Sequence, residues 1–128
     1  MEINNHRTQA ELRAVFEAYE AAFVANDIDT LDRFFLHEPT TIRYGAADMQ
    51  LGMEQLRAYR QRVSPTGLAR DLRETVITTY GGDVGIASTL FFRDRHPGKT
   101  GRQMQTWIRM ADGWRIVAAH VSVIDDPA

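Results

Sequence analysis

Near Gly67 the spacing of apolar residues changes period, and with it the kind of structure the chain can form. Upstream, Leu12, Val15, Phe16, Tyr19, Ala22 and Phe23 recur at the i, i+3, i+4, i+7 spacing of one helical face, with Glu11, Arg13, Glu17 and Glu20 turned elsewhere. This predicts a helix from about Thr8 to Ala25, ended by Asn26-Asp27. A shorter helix follows, capped by Asp27 or Asp29, with Leu31, Phe34 and Phe35 on its inner side. After Pro39, Thr41-Ile42-Arg43-Tyr44-Gly45 reads as a short strand. Met53, Leu56, Arg60 and Val63 then repeat the helical spacing until Ser64-Pro65-Thr66-Gly67 stops it.

Downstream the pattern is β-rich in four segments, roughly 71–80, 84–93, 102–110 and 114–124. Gly81-Gly82-Asp83 and Asp112-Gly113 between them are hairpin signals. The order is helix, helix, strand, helix, then four strands as a meander. Helices first and an antiparallel run afterwards predict an α+β domain, its three N-terminal helices packed on one face of a strongly curved antiparallel sheet. Such a sheet, wrapped around the long first helix, makes a cone with an interior cavity.

Size and charge narrow the function. One domain, 1–128, is expected, large enough for its own core. A formal charge of −2 lacks the clustered basic excess that nucleic acid or an anionic membrane calls for. The chain has no cysteine, so disulfides, thiolate nucleophiles and cysteine-bound zinc are excluded. Without a secretory signal or a membrane-length apolar run at hand, the expected location is the cytoplasm.

Three positions raise questions that spacing alone leaves open. Arg43 stands mid-strand: facing water it is a solvated side chain, facing inward it needs a negative partner, for which a ligand carboxylate is suited. Tyr19 shares the buried stripe, so its hydroxyl meets either a backbone carbonyl or the edge of a cavity. If Asp112-Gly113 forms a two-residue turn, Trp107 lies opposite Ala118, Gln105 opposite His120 and Gln103 opposite Ser122, all on one face. That face is the inner or the outer one according to a single residue of register.

Other chemistry finds little support. His6, His37, His96 and His120 are scattered without metal-ligand spacing, and neither a GxSxG elbow nor a phosphate loop is present. Glu74 is the one acidic residue placed inward, which makes paired-carboxylate catalysis a poor fit. Asp125-Asp126-Pro127-Ala128 reads as a solvated tail.

The order of elements, together with TIRYGAADMQLGM, YEAAFVANDIDTLDRFF, ARDLRETVITTYG, ASTLFFRD and GRQMQTWIRMADGWRIVAAHVS, resembles the SnoaL-like (nuclear transport factor 2-like) superfamily. Within it the match is closest to the small AtzH/HpxZ-like proteins linked to oxalurate and cyanuric acid breakdown. The resemblance implies a cystatin-like cone and a cofactor-free, decarboxylating amidohydrolase acting on a small N-carboxylated urea or ureide such as 1,3-dicarboxyurea. It carries function onto Tyr19 and Arg43, as proton donor or relay and as carboxylate clamp. Gln105 would then bind the urea carbonyl and Trp107 would form an apolar wall. A more distant likeness to the association domain of calcium/calmodulin-dependent kinases suggests a pocket at positions like Gln105 and His120, the latter an alternative proton relay. No metal or cofactor is expected. A homodimer or dimer of dimers, paired through the outer face of the sheet, and an amidase as pathway neighbour are the expected partners. The alternative function is a non-catalytic ureide- or carboxylate-binding accessory protein of such an amidase.

Overall fold

A computed structural model describes residues 1–126 of the chain. Helix α1 runs His6–Val24, and its first turn is closed by Asn5, whose side-chain oxygen accepts from the Thr8 amide at 3.1 Å. Asn26 takes a left-handed conformation (φ 52°) that ends the helix, and Asp27 caps α2 (Ile28–Arg33) by accepting from the Thr30 amide and hydroxyl. Of the two expected caps, Asp27 is the one used. Strand β1 is Ile42–Tyr44, β2 is Met49–Leu51 and α3 is Met53–Arg60. The long strands follow: β3 Asp71–Tyr80, β4 Val84–Phe92, β5 Lys99–Met110 and β6 Gly113–Asp125.

The fold is the expected α+β arrangement of helices on a curved sheet, with two differences. Six strands, in the order β2-β1-β6-β5-β4-β3, replace the five expected. The added strand β2 pairs with β1 through a tight turn in which the Gly45 amide donates to the Asp48 carbonyl at 2.9 Å. Its three residues are too few to show a period. Moreover, β1 joins β6 in parallel, so the sheet is only mostly antiparallel. No local turn signal announces that pairing, because nearly the whole downstream chain lies between the two strands.

The register of the last hairpin also differs. Met110 pairs with Gly113, so the two-residue turn is Ala111-Asp112, and an irregularity between Thr106 and Trp107 shifts the pairs farther from the turn by one. Gln105 therefore lies opposite Ala119, and His120 opposite Met104. Asp125 belongs to β6 and pairs with Lys99, while Asp126 accepts from the Thr100 hydroxyl at 2.6 Å. The expected tail thus starts later, and Pro127 and Ala128 lie outside the described residues.

The core forms where α1 lays Leu12, Phe16 and Tyr19 against Ile77, Ala87, Trp107 and Ile116 of the sheet. Gly85 makes that approach possible: a Cβ there would stand 2.2 Å from the Leu12 Cδ2. Trp114 belongs to the same cluster, and Tyr19, Leu31 and Phe35 of this core also line a cavity.

Candidate functional site: an arginine-lined cavity

The cavity is about 250 Å³, enclosed by α1, α2, the β1–β2 hairpin, α3 and the concave face of β4, β5 and β6. That is at or below the lower end of the usual ligand-pocket range, and suits a small metabolite. Tyr19 reaches it from α1. Its ring lies edge-on to Phe34, Phe35 and Trp107 at centroid distances of 6.1–6.3 Å, which fixes the phenol's direction. Among the described residues the Tyr19 hydroxyl has no protein hydrogen-bond partner.

Arg43 faces inward, because Ile42 and Tyr44, its neighbours on the short strand, take the opposite face. Its negative partner is internal: Nη1 donates to Asp48 Oδ1 and to Gln50 Oε1, each at 2.9 Å. Gln50 in turn donates to Asp48 at 2.8 Å, and the guanidinium rests over the Tyr59 ring at 5.1 Å. The expectation that an inward Arg43 waits for a ligand carboxylate is thereby corrected in part. Asp48 anchors one nitrogen, while among the described residues Nε and Nη2 have no protein acceptor. Those two N–H groups form the edge of the guanidinium that grips a carboxylate with parallel bonds.

Three further arginines line the same cavity: Arg60, Arg70 and Arg93. Arg60 comes from α3, its Nε 2.8 Å from Asp32 Oδ1, yet not aligned for a hydrogen bond. Burial lowers the Arg60 pKa, opposed by the nearby Tyr19 and Asp32 and reinforced by the Arg43 charge. Arg70 forks onto Glu20 at 2.8 and 2.6 Å and is held between the Phe23 and Phe91 rings, 4.1 and 4.8 Å from its guanidinium. Arg93 has no carboxylate within ion-pair reach among the described residues. Burial lowers its pKa first, then the charges of Arg70 and Arg95, with Glu20 opposing. Four guanidinium groups thus face three carboxylates, and the cavity is a place for an anion.

Gln105 and Trp107 lie on the inner face of β5, both essentially inaccessible to solvent. Trp107 does not line the cavity, so the expected apolar wall is corrected: the indole is packed in the core and its N–H donates to Gln105 Oε1 at 3.1 Å. His120 is on the other side of the sheet, exposed, with the Tyr44 ring edge-on at 5.7 Å. The shifted register puts Ala119, rather than His120, beside Gln105, and this removes His120 from the cavity. Glu74 is likewise exposed, at the irregularity in β3 where its φ is 53°.

Sequence reasoning missed the carboxylates Asp48, Asp32 and Glu20 and the arginines Arg70 and Arg93. For Arg60 a signal existed. It stands four residues after Leu56 on the buried stripe of its helix, where an arginine must be paired. Among the described residues no group of three histidine, aspartate or glutamate side chains could hold a metal ion, and no helix is long and apolar enough to cross a membrane.

A curved sheet closed by three helices over an interior cavity defines an NTF2-like, cystatin-like protein. The AtzH-like family model matches residues 1–127, and the chain belongs to the AtzH-like family. It is 49% identical to a cystatin-like fold protein of Burkholderia xenovorans (TM-score 0.95, 99% of each chain covered). It is also 49% identical to a protein of unknown function from Pectobacterium atrosepticum (TM-score 0.94, 96% of this chain and 95% of that one). At 16% identity it shares the fold of a Parabacteroides distasonis protein provisionally assigned as a ketosteroid isomerase (TM-score 0.67, 87% and 86% covered). No curated protein matches the chain. The fold therefore includes proteins regarded as enzymes, and the chemistry of this one has to be argued from its cavity.

Proposed function

We propose that the protein is a small, metal-independent decarboxylating amidohydrolase whose substrate is an N-carboxylated urea or ureide such as 1,3-dicarboxyurea. The observation that carries this reading is the free edge of Arg43 in a cavity where guanidinium groups outnumber carboxylates. Arg43 holds one carboxylate of the substrate through Nε and Nη2, and its anchor to Asp48 keeps it from following the ligand.

An N-carboxylate breaks down when its nitrogen gains a proton: the N–C bond cleaves, its electron pair stays on nitrogen, and carbon dioxide leaves. Tyr19, whose hydroxyl has no protein partner among the described residues, supplies that proton, and the resulting phenolate is stabilised by Arg60 nearby before solvent reprotonates it. The Gln105 amide nitrogen binds the urea carbonyl.

The test measures carbon dioxide release from freshly prepared 1,3-dicarboxyurea with the wild type and with Arg43→Ala, and binding of oxalurate, whose carboxylate is on carbon and which the proposed step leaves intact, as a comparison. Turnover of 1,3-dicarboxyurea that disappears in the variant is expected. Tight, Arg43-dependent binding of 1,3-dicarboxyurea without turnover would replace this reading with the accessory-protein alternative.

A further inference from the structure

The register of the sheet puts Arg43, Ala119 and Gln105 side by side on its concave face. Arg43 pairs with Ala119, and Ala119 pairs with Gln105. Adjacent strands lie ~4.8 Å apart, so the Arg43 and Gln105 backbones are about 10 Å apart with only a methyl group between them. A ligand carboxylate held by Arg43 therefore extends over Ala119 towards the Gln105 amide.

An unrestrained glutamine offers either its oxygen or its nitrogen. Here the choice is made by the protein. The Trp107 indole N–H, a donor only, is bonded to the Gln105 oxygen at 3.1 Å, so the nitrogen takes the other position. Among the described residues that nitrogen donates to no protein acceptor, and the residue lines the cavity. The same arrangement recurs two residues earlier, where Arg70, forked onto Glu20, donates to the Gln103 oxygen at 3.3 Å and leaves the Gln103 nitrogen without a partner.

We infer that Gln105 determines specificity at the middle of the cavity and that Trp107 is its positioning residue: by capping the amide oxygen, the indole makes this position a donor only. Ligands that present an acceptor oxygen there are accepted, and those that present an N–H are discriminated against because it would find no partner. The inference rests on Arg43 holding a ligand carboxylate, as proposed above.

The test uses two probes of equal charge and nearly equal shape, monomethyl malonate and N-methylmalonamate, with the succinate analogues as a longer pair. Each carries one carboxylate. The distal ester only accepts hydrogen bonds, whereas the distal amide also donates. Calorimetric titration of the wild type should show the ester binding about tenfold more tightly. Gln105→Glu keeps an oxygen for Trp107 and places a second oxygen where the nitrogen was, so the preference should shift towards the amide by tenfold or more. Trp107→Phe frees the amide to turn, and the preference should shrink about threefold.

A loss of packing alone would weaken both probes by the same factor and leave their ratio unchanged. An unchanged ratio in both variants, with probe binding still abolished by Arg43→Ala, would overturn this inference and leave the carboxylate clamp standing. A wild type that binds neither probe would overturn both. Should the glutamate variant fail to fold, the ratio in Trp107→Phe decides on its own.

Discussion

Tyr19 is packed by five aromatic neighbours, Phe16, Phe23, Phe34, Phe35 and Trp107, which hold its ring whether or not the hydroxyl is present. Tyr19→Phe should therefore leave the melting temperature within a few degrees and ligand binding within a few-fold, while turnover falls by ~10²–10⁴-fold, the usual worth of a placed general acid. Stopped-assay kinetics beside a thermal melt separates the two effects, and unchanged turnover would remove Tyr19 from the chemistry. At this scale the sequence was informative where residue type and stripe agreed, as for Tyr19 on the buried face of α1. It was silent where a side chain's role depends on a partner far along the chain: Glu20 and Arg70 are fifty positions apart, yet share two hydrogen bonds. His120 was misplaced for a related reason, since one residue of register turns a strand's side chains over.

The α2–α3 contact is the element most exposed to a single change. Arg60 of α3 meets Asp32 of α2 with both side chains largely buried, and its guanidinium also lies over the Phe35 ring at 4.8 Å. Asp32→Ala would leave a buried cation without its carboxylate, a loss of about 3–5 kcal/mol for a broken buried pair. The poor alignment of this contact points to the lower end, about 3 kcal/mol. Urea denaturation should show the midpoint fall with little change in slope. A drop under about 1 kcal/mol would mean that Arg60 is held by its aromatic and cavity contacts instead. The helices themselves were legible, since their stripes and the Asn26-Asp27 break are local. Strand β2 was not: its three residues form a strand because β1 and the Gly45 turn present an edge to them.

For the whole molecule, the convex side of the sheet stands out. Tyr44, His120 and Met104 lie in one row across β1, β6 and β5, and Met104 and Tyr44 are exposed. A second copy of the chain covering this face is expected, as a homodimer or a dimer of dimers. Sedimentation should give a dimer or larger at micromolar concentration, and Met104→Arg should raise its dissociation constant at least tenfold. A wild type that sediments as a monomer would end that expectation. The sequence by itself determined the α+β class, the three helices, the long strands and the inward set of Leu12, Phe16 and Tyr19, because each follows from a repeat within one segment. Only the tertiary structure decided that β1 runs parallel to β6, that Arg43 is tied to Asp48, and that Arg60, Arg70 and Arg93 share a cavity with it. Those contacts join residues from separate segments, and a local pattern holds no information about which distant side chain will neutralise a buried charge.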